Sequence, residues 1–305
     1  MVLTLSKSEG VDFRLLHQAA DQLTPKLRRT LLAAFENLPE AALTPLIAAL
    51  EAGRIDDVMA LLAAAISATE QAKIAAVLTS VYVTAANLQG AQFNLRFDLK
   101  NPAAVRWAER NAAQLVTGVA PRTQAAIRDI VVRGIQDGIP PAAQARELRQ
   151  LMQLSTRDAV AADNFYRGLL EQVDAAGGGF DMEDRAFRRF MRYRNRLVKA
   201  RMETIARTET IRAANRGQLA AWESAADAGL LDRTTLRLVW VATEDSRVDA
   251  ICSALDGTTV GFGESFSVPQ QDPNAARQTK PPVPERSPPA HPRCRCSLAL
   301  TETVV

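Results

Sequence analysis

The feature that most constrains this chain is one long helical candidate, from about Met182 to Ala228, that follows the break at Gly177-Gly178-Gly179. Phe187, Phe190, Met191, Leu197, Val198, Ile205, Ile211, Leu219 and Trp222 fall at helical spacing along it and mark a buried side. What precedes it reads the same way. Residues 14 to about 90 are rich in Ala and Leu and show no strand-like alternation. Thr24-Pro25 and Thr44-Pro45 each read as an N-cap followed by proline at the first helical position. A third stretch, Ile55 to Val81, carries Val58, Leu61, Leu62, Ile66, Ile74 and Leu78 at helical spacing. Asn101-Pro102 and Val119-Ala120-Pro121 start two more helices, and Asp137 to Pro141 is a turn before helix resumes over 142–152.

Past the long helix the character changes. Leu236 to Thr243 alternates like a half-buried strand. Thr258 to Val268 supplies a second strand pair around Gly261 and Gly263, and Ser297 to Val305 a last strand. Pro269 to Pro289 between them is a polar, proline-laden loop, and Asp256-Gly257 is a hairpin-type turn. The expected fold is therefore mainly α-helical with a small C-terminal α+β module. Its expected divisions are an N-terminal helical domain (1–94), a helical region (95–228) containing the long basic helix, and the Cys/His module (229–305).

Composition narrows function by exclusion. At 47% hydrophobic and 23% charged the chain is an ordinary globular protein. No apolar run approaches the ~20 residues of a membrane helix, and no basic-then-apolar leader opens the chain, so a cytoplasmic site of synthesis and no membrane partner are expected. A net charge of +3 makes any affinity for nucleic acid a matter of local clustering. One cluster qualifies: Arg185, Arg188, Arg189, Arg192, Arg194, Arg196, Lys199 and Arg201. A basic helix face suits sequence-independent phosphate contact. The plainer alternative is a solvated face paired with Glu183, Asp184 and Glu203. Arg207 and Glu209, two apart, point to different sides and bond different partners. Asp245, after the first strand, reads as turn chemistry.

The module also holds all three cysteines, Cys252, Cys294 and Cys296, together with His291. A disulfide framework is not expected in a reducing compartment, which leaves free thiols or metal ligands. Cys-x-Cys, His-x-x-Cys and a distant Cys together make a tetrahedral donor set for structural zinc, a substitute for core in a small domain. Buried free cysteines beside a surface histidine are the alternative. A catalytic Cys–His pair would need a base orienter and an oxyanion site, and neither is apparent. An open catalytic zinc would need a nearby base, for which Glu264 and Glu285 are the only local acids that suit, both in expected loops. His17 stands alone on an early helix without an assigned role.

Several segments, in order, resemble the phage head morphogenesis family, the Mu F-like minor head proteins of tailed phages and prophages. They are Phe97 to Pro102, Ile205-Ala206-Arg207-Thr208-Glu209, Ala214-Asn215-Arg216-Gly217 with Trp222, Trp240 to Val248, Leu255-Asp256-Gly257, and Pro288 through Cys296. The resemblance covers about residues 95 to 300. It implies a structural protein of the virion, not an enzyme, made in the host cytoplasm and built into the head with the portal protein and other head proteins as partners. Contact with packaged double-stranded DNA through the basic helix is a secondary expectation, and portal docking by residues 1–94 another. Many members carry a Cys pair after the Asp-x-Arg segment. This chain has Asp249 at the first of those positions and Cys252 at the second, so closure of a zinc site depends on His291. The rival readings are a zinc-dependent hydrolase or toxin-like enzyme on a head-protein scaffold, and a free-standing DNA-binding protein.

Overall fold

The computed structural model describes residues 13–36, 43–52, 54–63, 68–113, 132, 154–243, 248–274 and 280–302. The expected helix starts and turns over 119–152, and Asp245, lie outside these residues.

The described chain is mainly helical, with strands confined to the C-terminal part, as expected. Helices α1 (Phe13–Glu36), α2 (Leu43–Glu51), α3 (Ile55–Ala63) and α4 (Ala68–Gly90) come first. Helix α5 covers 102–113, followed by α6 (Thr156–Ala175) and the long α7 (Phe180–Asp227). Two compact units result, neither continuous in sequence. One takes residues 1–28, 75–108 and 204–305; the other takes 29–74 and 109–203.

Some local rules hold and others yield to packing. Asn101 caps α5, its Oδ1 accepting from Ala103 and Ala104 N–H. Thr24-Pro25 does not start a helix: α1 runs through Pro25. Leu16, Ala20 and Leu27 on either side of it are fully or almost fully buried, and Thr24 Oγ1 bonds Ala20 O and Thr210 Oγ1. That burial outweighs the ~3 kcal/mol a mid-helix proline costs. The described residues of the Ile55 to Val81 stretch are helical, in α3 and α4. Residues 68–93 do have the length and mean hydropathy of a membrane span, but 67% of that window is buried inside the protein. Gly177, Gly178 and Gly179, all at positive φ, join α6 to α7. Phe187, expected inside, is 43% exposed, whereas Phe190, Val198, Ile211, Leu219 and Trp222 are buried.

In the first unit, α7 passes α4 at Gly217, where a Cβ would lie 2.1 Å from the Tyr82 carbonyl oxygen. Tyr82, Val83, Ala86, Ala104 and Ala220 close the core around this crossing. Beyond it, β1 (Leu236–Val241) is the centre of an antiparallel sheet, between β2 (Thr259–Gly261) and β5 (Ser297–Glu302). Its Leu236, Leu238 and Trp240 alternate into a core with Trp222, Phe266, Leu298 and all three cysteines.

Two expectations of the module need correction. The 258–268 stretch is not a strand pair: β2 joins β1, while β3 (Phe266–Val268) pairs with β4 (Val283–Glu285) inside the supposed loop. Pro284 is tolerated because this is a two-stranded ribbon, held by the buried Phe266 and Val268 of β3. Nor is Asp256-Gly257 a hairpin turn. It ends the short helix α8 (Ala250–Leu255), with Gly257 at φ 71° donating to Trp240 O and Asp256 Oδ1 accepting from Ala242 N–H.

Candidate metal centre and basic helix face

The three cysteine sulfurs converge. Cys252 sits in the first turn of α8, capped by Asp249, and Cys294 and Cys296 lie on the turn that leads into β5. All three are buried, and their sulfurs lie within 4.8 Å of one another, with Cys252 Sγ and Cys294 Sγ 3.6 Å apart. Sulfurs on a tetrahedral zinc with bonds of ~2.3 Å stand about 3.8 Å apart, so this spacing needs little adjustment to embrace one ion. The donor set fits a soft metal.

His291, the expected fourth ligand, approaches from one side. Its Nε2 is 2.8 Å from Cys252 Sγ, but the mutually close group comprises the sulfurs alone among the described residues. His291 Nδ1 lies 2.9 Å from the Pro292 carbonyl. A carbonyl only accepts, so Nδ1 carries a proton and Nε2 is the nitrogen that faces Cys252, the orientation of a metal-ligating imidazole. Asp249 Oδ1 stands 4.0 Å from the same nitrogen. A small pocket opens over the group, lined by Val248, Asp249, Cys252, His291, Arg293 and Cys294 among others. Glu264 and Glu285 do not line it; Glu264 accepts from Gly261 N–H and Glu285 belongs to β4.

Electrostatics follow from the crowding. Hydrogen bonds from Cys252 and Cys296, and backbone N–H groups of Cys296 and Ala290, hold the Cys294 thiol far below its ordinary range. Cys252 is pushed far up by its bonds to Cys294 and Cys296 and by burial. Cys296 feels the Cys252 bond pulling down, but the Cys294 bond, burial and the Cys294 charge raise it on balance. Three sulfurs packed this closely compete for protons, a crowding that a divalent cation relieves by displacing them. Trp240 Nε1, buried without an oxygen partner, also favours the Cys296 thiolate.

The Cys-x-Cys turn is pinned from three sides. Arg293, at φ 65°, donates its N–H to Thr208 Oγ1 (3.0 Å) and its Nε to Thr204 Oγ1 (2.9 Å). Thr243 Oγ1 donates to Arg295 O at 2.7 Å, and Asn215 Nδ2 to Cys296 O at 3.1 Å. Gln218 continues the line with a bond to Leu298 O. His17, assigned no role from sequence, is half-buried and bonds Ser297 Oγ at 3.0 Å. The sequence signal for the α7 anchors was available: Thr204, Thr208, Asn215 and Gln218 fall at i, i+4, i+11 and i+14, a polar line on an otherwise apolar face.

The eight basic residues of α7 separate into two sets. Arg185, Arg188, Arg192, Arg196 and Lys199, at spacings of three and four, share one exposed stripe, with exposed Arg189 beside it. Arg194 is buried and donates to Asn195 Oδ1, and Arg201 is half-buried; both face away from the stripe. Arg188 pairs with Asp184 at 2.5 Å, Arg185 Nε donates to Asp181 O, and Arg196 lies over the Tyr193 ring. Farther along, Arg207 is exposed while buried Glu209 pairs with Arg212, as their two-residue spacing implied.

A family described as phage Mu protein F like protein matches residues 125–299, from before α6 to the middle of β5. No curated protein and no solved structure matches the chain.

Proposed function

The chain belongs to the phage Mu protein F like family, and from that membership we propose that it is a structural minor head protein of a phage or prophage. In this reading it enters the head during procapsid assembly in the host cytoplasm and remains in the virion, associated with the portal, and it catalyses no reaction. The observation that carries the proposal is the family match itself, which spans more than half of the chain and includes α7 and the cysteine centre. Residues 1–94 serve as the portal-docking part, 95–228 as the helical body and 229–305 as the clasped module.

Two details attach to this reading. The exposed Arg185–Lys199 stripe contacts packaged double-stranded DNA through phosphates, without base readout. Cys252, Cys294, Cys296 and His291 hold a structural zinc ion, which joins α8 to the turn before β5. The burial of all three sulfurs in the module core supports a structural role over a catalytic one.

The test is direct. Procapsids purified from the encoding phage, with and without the gene, are analysed for this chain by mass spectrometry and for intact assembly by electron microscopy. The chain is expected in procapsids, with defective heads or packaging in its absence. Procapsids that never contain it would overturn the assignment. Metal analysis of the purified protein is expected to find close to one zinc per chain, lost in Cys294→Ser; less than about half an equivalent refutes the zinc detail.

A further inference from the structure

Three side chains grip the backbone of the Cys-x-Cys turn, Thr208 and Asn215 from α7 and Thr243 from just past β1, while Thr204 of α7 holds the Arg293 side chain. The grip at Arg293 is unusual. A non-glycine residue at φ 65° is held in a conformation that costs about 1 kcal/mol or more. What that conformation provides is an N–H aimed at Thr208 Oγ1. Thr208 donates its own hydroxyl hydrogen to Thr204 O (2.7 Å), which leaves its lone pair for Arg293. At the other end of the turn Asn215 uses both amide hydrogens, one on Ile211 O and one on Cys296 O. The two ligand sulfurs therefore sit between two bonds to side chains seven residues apart on one helix face.

Resting on the metal reading above, we infer that Thr208 and Asn215 are positioning residues of the cysteine centre: they set the spacing of Cys294 and Cys296 toward Cys252, and metal affinity depends on them although neither is a ligand. A ligand turn held in place before the ion arrives loses less conformational freedom on binding, and outer groups of this kind are typically worth 10–100-fold in metal affinity. By linkage, metal binding tightens the hold of the turn on α7 by the same factor.

Cobalt(II) titration of the full chain, followed by thiolate-to-cobalt charge-transfer and tetrahedral d–d absorption and then by zinc competition, tests this. Thr208→Val and Asn215→Leu are each expected to weaken metal binding about 10-fold, and the double variant more. Thr208→Ser, which keeps the oxygen, is expected within about twofold of wild type. Gln218→Leu is the structural control: it removes a similar buried bond to β5 two residues past the last ligand, and is also expected within about twofold. Thr208→Ala removes the same acceptor and carries the comparison if the valine variant does not fold by circular dichroism. Unchanged affinity in Thr208→Val and Asn215→Leu, or an equal loss in Gln218→Leu, overturns the inference while leaving the metal site standing. A wild-type protein without the cobalt–thiolate bands overturns the metal reading and the inference together.

Discussion

Gly217→Ala is the substitution for which the structure gives the clearest sign. In an exposed helix interior it would stabilise by about 1 kcal/mol, because alanine is the better helix former. At this position the added methyl would sit 2.1 Å from the Tyr82 carbonyl oxygen, 2.9 Å from its carbon and 3.1 Å from its Cα. These are backbone atoms of α4, which cannot rotate away. Relieving the contact requires the helices to part by about 1 Å, and a gap of that size forfeits a quarter to a half of the dispersion attraction across it. The contacts at risk are those of Val83, Ala86, Ala104 and Ala220, whose small side chains suit a close crossing. Overpacking costs of about 1–3 kcal/mol, with the lost contacts added, exceed the propensity gain, for a net loss of about 2 kcal/mol. For a unit of this size that lowers Tm by about 4–8 °C. Gly168→Ala supplies the contrast: it lies in α6, nothing approaches its Cβ position within 4 Å, and it should raise stability by about 0.5–1 kcal/mol. Thermal and urea unfolding of the two variants against wild type decide the matter. If Gly217→Ala is as stable as wild type, the close crossing is not what excludes a side chain there.

The exposed stripe on α7 should behave as a phosphate-binding surface. Changing Arg188, Arg189 and Arg192 together to Ala is expected to weaken retention on double-stranded DNA and to flatten its salt dependence by up to about 0.9 per lost phosphate contact; an unchanged slope removes DNA as the partner of this face. Burial holds the His17 pKa below 6.5 against the opposing pull of Asp21. The unfolded chain therefore takes up that proton first, so stability is full above pH 6.5 and falls as pH drops from there toward the depressed folded value. His17→Gln should flatten this acid slope in urea unfolding measured from pH 7 to 5, and an identical slope would clear His17 of the effect. Removal of metal by a chelator is expected to lower Tm, with recovery on added zinc that scales with free ion concentration, and no such shift in Cys252→Ser.

How much of this was readable from the residues depended on the range of the interaction that decides each element. Helix α7 was readable because its apolar period recurs from Phe190 to Trp222, about nine turns at 3.6 residues each, so no single residue decides it. The start of α1 was misread because Thr-Pro is a local signal, and Leu16, Ala20 and Leu27 outvote it through contacts distant in sequence. Strand β4 was hidden behind its proline for the same reason, since only its pairing with β3 and the burial of Phe266 reveal it. At the centre itself, the convergence of the three cysteines was readable from their place in the sequence, because candidate metal donors are particular atoms on particular side chains. Its support was not, because Thr208 and Asn215 act through backbone groups of Arg293 and Cys296 more than eighty residues away. Any residue can offer those groups, so the turn side leaves no trace in the sequence, and only the helix side, a polar line on an apolar face, records the contact. The same reasoning separates the eight basic residues of α7: composition counted them together, whereas helical phase assigns Arg194 and Arg201 to the inner face and leaves six to meet a partner.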